Sequence, residues 1–145
     1  MTYYEDLSSY GYFTETIPSE VSARAVGWLD PAHPFTCAEP DEVFADRLFA
    51  LCRDHRFAIT HGWYGCGLCR RRFLGGGRRA HPVTVARGRE RILVGHGEVR
   101  VRSVDADTWL IAPDMVAHYV LVHHYAPPEP FVEAVLAGRV VAHSL

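Results

Sequence analysis

Cys66-Gly67-Leu68-Cys69 sets two thiols two residues apart in a glycine-rich turn, and His118 and His123 follow downstream at a zinc-finger spacing. Zinc takes four tetrahedral N and S ligands, and a C-x2-C turn presents both sulfurs on one side of a tight knuckle. Glycines at 62, 65 and 67 suit the left-handed backbone that a knuckle can require. Strand-like runs come next, and then a helix that carries both histidines. Knuckle, hairpins, helix is the order of a treble clef. It predicts an α+β fold with an antiparallel β-meander, flanking helices and a treble-clef-like zinc knuckle, in a single domain spanning 1–145.

The elements are read outward from that turn. Pro82–Ala86, Arg91–Val94, Glu98–Ser103 and Thr108–Ile111 read as strands, with Arg87-Gly88-Arg89-Glu90 and Gly95-His96-Gly97 as hairpin-like separators. Asp114 is placed to cap a helix running to about His124, and Glu129–Ala137 reads as a short last helix closed by Gly138. Upstream, Asp41 can cap a helix of about fourteen residues whose apolar stripe holds Phe44, Leu48, Leu51 and Cys52. On that stripe Cys52 reads as buried packing. Phe57–Thr60 reads as a strand entering the knuckle. The first forty or so residues are rich in aromatics (Tyr3, Tyr4, Tyr10, Tyr12, Phe13) and are expected to wrap over a core. Within them only Val26–Leu29 resembles a strand, stopped by Pro31 and Pro34.

Other readings of the thiols are two small buried residues in a turn, or a redox pair. Redox pairs of this spacing open a helix, whereas Gly65, Gly67 and the arginines behind Cys69 favour a knuckle. The metal ligands are therefore read as Cys66, Cys69, His118 and His123, with zinc as cofactor. Five helical steps put the two histidines about 140° apart on an ideal wheel, so both can bind only if the helix loosens near Leu121 to His124. His61 competes as a ligand, and His124 points away as a solvated helix end.

Four protein ligands would saturate the ion and make it structural. Three ligands plus a water would leave a Lewis-acidic position, with the water's pKa brought to about 7. A general base would then be needed, and Asp30, His33, His61, Glu39 and Asp114 are candidates. His33 is held by Pro31 and Pro34 in a restricted, extended loop, Asp30-Pro31-Ala32-His33-Pro34-Phe35, as a preorganised site residue can be. More often such a loop packs its aromatics, here Trp28 and Phe35. No H-E-x-x-H or deaminase signature is present.

Composition narrows the function. Of 145 residues, all 15 basic side chains are arginine, and lysine, asparagine and glutamine are absent. Their AT-rich codons point to a GC-rich genome and suggest an actinobacterial source. The absence also removes Schiff-base lysines, a Walker lysine and amide-based base readout. A net charge of −2 supplies no global field for nucleic acid or an anionic membrane. Arg70, Arg71, Arg72, Arg78 and Arg79 nevertheless flank the knuckle as a local cationic patch, which reads first as a solvated surface with acidic partners elsewhere and otherwise as a contact for a protein partner, a small anionic ligand or, less favoured, nucleic acid. No leader and no run of roughly 18–20 apolar residues stands out, so a cytoplasmic protein is expected, where paired thiols serve metals better than disulfides.

The chain resembles a small family of uncharacterised actinobacterial proteins. The residues that carry the resemblance are Tyr3–Tyr10, the Gly27-Trp28-Leu29-Asp30-Pro31-Ala32-His33-Pro34-Phe35 segment, Cys66–Cys69, and His118-Tyr119-Val120 leading to Tyr125–Glu129. The resemblance implies one compact domain and a C-x2-C metal site, and carries no assigned activity. That family often has a histidine just ahead of the first cysteine, where this chain has Tyr64, so the turn offers no further ligand by that route.

The function expected on these grounds is a small zinc-binding protein with a structural ion, acting as a binding or accessory module. The alternatives are a zinc-dependent enzyme of hydrolase or cyclase type in secondary metabolism, and a nucleic-acid-binding zinc protein.

Overall fold

A computed structural model describes residues 2–57, 64–69 and 82–141. The expected strand beyond Phe57, His61, and the arginines at 70, 71, 72, 78 and 79 lie outside the described residues. Among the described residues the fold is mixed α and β. It has strands β1 (Ser22–Ala25), β2 (Val83–Arg87), β3 (Glu90–Val94), β4 (Glu98–Arg102) and β5 (Thr108–Pro113). The helices are α1 (Glu42–Asp54), α2 (Val116–His123) and α3 (Glu129–Leu136). No helix among these residues is long and apolar enough to cross a membrane.

The strands do not form the expected single meander. β2 and β3 make an antiparallel hairpin of their own, while the second sheet has the order β1-β5-β4. In that sheet β4 lies antiparallel to β5, and β1 lies parallel to it with Ser22 opposite Thr108. The meander is broken at Gly95-His96-Gly97, which is not a hairpin turn. The Gly95 N–H donates to Asp114 Oδ1 at 2.8 Å and its carbonyl accepts from Tyr64 N, while Gly97 O accepts from Asp114 N. With these groups already satisfied from elsewhere, β3 and β4 part. The backbone edge of β4 that β3 leaves free is covered instead by Phe57, which exchanges both backbone bonds with Glu98, and by residues 139–141.

The short strand expected at Val26–Leu29 lies upstream, at Ser22–Ala25, because the chain turns off at Gly27, where φ is 74°. β1 is capped on its far side by residues 7–10, whose backbone bonds to Ala23 and Ala25.

Alternation along β5 divides the interior. Leu110 and Ala112 face a core built from α1, α2, α3 and the β2–β3 hairpin, with Leu48, Val94, Tyr119 and Phe131 among its buried members. Ile111 faces the other way, under Tyr10 and Trp28 of the N-terminal segment, whose wrapping over the sheet is thus observed. Beneath the same segment Tyr10 donates to Glu98 Oε2 at 2.6 Å, and Arg100 donates to Glu98 Oε1 and to Thr16.

Helix α1 forms as its pattern predicts. Asp41 accepts from the N–H groups of Val43 and Phe44, and Phe44, Leu48, Leu51 and Cys52 are buried. Cys52 is fully buried and its thiol is pushed well above the ordinary range by desolvation. Helix α2 departs from expectation at its start. Asp114 makes no side-chain cap there. Wholly buried, it bonds Gly95 and faces Arg56 at 3.4 Å instead.

Candidate metal centre

The knuckle is a single 3-10 turn, Gly67–Cys69, closed by a bond from Cys69 N to Cys66 O at 3.2 Å. Its middle glycine serves a close approach and not handedness. Neither Gly65 nor Gly67 has positive φ, contrary to the sequence expectation, but a Cβ on Gly67 would stand 3.2 Å from Pro31 Cδ. The Asp30–His33 loop therefore presses directly on the turn that carries both thiols.

Helix α2 delivers the imidazoles. Its last turn is wound wide: the N–H of His124 reaches the carbonyl of Tyr119, five residues back, and Tyr125 N reaches the same oxygen at 3.1 Å. A wider turn advances less per residue, so His118 and His123 come closer in angle than an ideal helix allows. His124, at φ 56°, ends the helix and is exposed. Residues 36–38 brace this end through bonds between Ala38 N and His124 O and between Ala126 N and Thr36 O.

Cys66, Cys69, His118 and His123 thereby converge, with one ligand atom from each and all four atoms within 4.8 Å of one another. Cys69 Sγ lies 3.3 Å from His118 Nε2 and 3.2 Å from His123 Nε2, and Cys66 Sγ lies 3.5 Å from His123 Nε2. Sulfur and nitrogen bound to one tetrahedral zinc sit about 3.5 Å apart, so the donor set fits such an ion.

Burial works against charge on the metal-free donors. Burial, and then the neighbouring Cys69, pushes the Cys66 thiol up to about 12. Burial, and then the His123 ring, lowers His118 to about 4, and burial also lowers His123. Neutral imidazoles are the form that binds a metal, and a divalent ion would reverse the balance for the buried Cys66 sulfur and displace its proton.

None of the other described candidates joins this group. His33 stacks flat on Tyr3, with ring centroids 3.8 Å apart, and its Nδ1 faces Asp30 Oδ1 at 3.6 Å on the surface. Glu39 is exposed, and Asp114 is committed to Gly95 and Arg56. His61 lies outside the described residues.

Sequence reasoning missed two neighbours of the site, Pro31 and Cys37. Cys37 is an exposed thiol whose Sγ lies 4.0 Å from the His123 carbonyl. No short-range signal marks either, since one touches a turn thirty-six residues away and the other a helix end eighty-six residues away.

No curated protein and no solved structure matches the chain. One family model does, over residues 2–136, and its description is a domain of unknown function, DUF7919. A match over nearly the whole chain settles membership: this protein belongs to the DUF7919 family.

Proposed function

We propose that this is a small zinc-binding protein whose ion is structural, held by Cys66, Cys69, His118 and His123. The observation that carries the reading is the convergence of two sulfurs and two imidazole nitrogens within 4.8 Å from segments some fifty residues apart. Two thiolates and two imidazoles in tetrahedral reach suit zinc better than harder cations, and four donors leave no open position for a substrate or water. The ion would tie the knuckle to α2 across the β2–β3 hairpin, which supports a treble-clef-like arrangement within one domain. Its role is then to hold a surface for a partner. That surface is the knuckle with the arginines at 70, 71 and 72 that follow it in sequence, suited to a protein or a small anionic ligand, in a reducing compartment such as the cytoplasm.

Elemental analysis with X-ray absorption at the zinc edge tests this reading. One zinc per chain in a closed shell of two sulfurs and two nitrogens is the expected result. An oxygen ligand in an open shell would replace the structural reading with the enzymatic one, and a metal-free protein in zinc-replete medium would end both.

A further inference from the structure

The four ligands are unequal in a way that bears on what removes the ion. Cys69 is exposed, whereas Cys66 is half-buried and His118 is only 6% exposed. The two sulfurs belong to one turn and lie within 4.8 Å of each other, so rotation of their side chains brings them to bonding distance with little movement of the backbone. Zinc-bound imidazoles ordinarily donate their second N–H to an acceptor that fixes the ring and strengthens its hold on the metal. His118 Nδ1 is buried and meets no acceptor among the described residues. The site thus combines an accessible sulfur, a second sulfur in the same turn and an imidazole with no outer acceptor among the described residues.

We infer that the site is an oxidant-operated switch, in which a peroxide converts Cys66 and Cys69 to a disulfide and expels the zinc. This rests on the structural-zinc reading above and adds a regulation to it. Cys69 thiolate attacks one peroxide oxygen, breaking the O–O bond and giving a sulfenic acid. Cys66 thiolate then attacks that sulfur and displaces hydroxide. Over the whole step the two thiolates lose two electrons to hydrogen peroxide, two protons from solvent complete two waters, and the ion leaves as Zn2+ from two neutral imidazoles.

The rest of the molecule has no need to follow. Val116, Ala117, Tyr119 and Val120 hold α2 in the core, whereas Tyr64, Cys66 and Leu68 only pack on its rim. Oxidation therefore frees the knuckle from α2 and leaves the fold standing, which switches the surface offered to a partner. Cys37 lies beside the site at the His123 carbonyl and has no part in the bond.

The test titrates the zinc-loaded full chain with hydrogen peroxide and follows released zinc with a chromogenic chelator, disulfides by peptide mass and fold by circular dichroism. The expected result is one zinc released per chain, a loss of about 2 Da on the peptide or peptide pair bearing Cys66 and Cys69, unchanged helical signal, and zinc uptake restored by a dithiol. Cys37→Ser should respond identically. Zinc retained at doses that oxidise Cys37, a disulfide that uses Cys37, direct passage to sulfonate, or release accompanied by unfolding would each overturn the switch. A chain that never takes up zinc would instead refute the structural-zinc reading itself, so the two failures are distinguishable.

Discussion

Burial holds the His118 imidazole neutral, and the second contribution to its lowered pKa comes from the His123 ring beside it. The metal-free protein therefore carries a pH dependence with a definite sign. The unfolded chain binds a proton on this residue below 6.5, the folded one only below about 4, so stability is full above that window and falls as pH drops through it. Urea denaturation of the metal-free chain at pH 7 and pH 4 should show a loss of up to about 3 kcal/mol from this group, and His118→Phe should flatten the dependence. An unaltered pH profile in that variant would show that the imidazole is not desolvated as the structure has it. The residue type and spacing were legible in the sequence. Desolvation was not, because it comes from the packing of α2 against elements distant along the chain.

The elements whose determinants are local matched their patterns. Asp41 sits one residue ahead of α1 and satisfies two of its orphan N–H groups, and Gly88 takes φ 62° in the two-residue turn between β2 and β3. The break between β3 and β4 has a different origin. Gly95 adopts φ 106°, and a Cβ there would stand 2.5 Å from the Tyr64 carbonyl, the entry to the knuckle. Gly95→Ala should accordingly cost about 1–3 kcal/mol in thermal or chemical denaturation and, on the proposed zinc reading, also weaken zinc binding, since it displaces residues 64–66. A near-neutral substitution, read by calorimetry and zinc titration, would show that this approach is not tight. A Gly-x-Gly segment between two strand-like runs reads as a hairpin turn, and only the buried carboxylate of Asp114 reveals why it is not one.

At the scale of the molecule, the N-terminal segment is locked to the sheet by a buried charge network. Glu98 and Arg100 are 2% and 3% exposed, Tyr10 and Thr16 complete their bonds, and the Arg100 guanidinium lies 4.0 Å over the Phe57 ring. Desolvation raises the Glu98 pKa, while Tyr10 and Arg100 oppose the shift. Removing one partner leaves the other charge buried and unpaired. Glu98→Ala should thus cost about 3–5 kcal/mol, and Glu98→Leu with Arg100→Met together should cost distinctly less. A double-mutant cycle by urea denaturation measures both, and additive costs would show that the pair does not act as a unit. Composition, the helix cap, the β2–β3 turn and the C-x2-C spacing of Cys66 and Cys69 were determined by the sequence itself, because each depends on residue chemistry within a few positions. Tertiary structure alone decided which strand edges pair, how a widened last turn of α2 aims both histidines, that Asp114 serves the core, and that Pro31 and Cys37 flank the site. These depend on which distant groups compete for the same hydrogen bonds and the same space, and that competition exists only once the chain is packed.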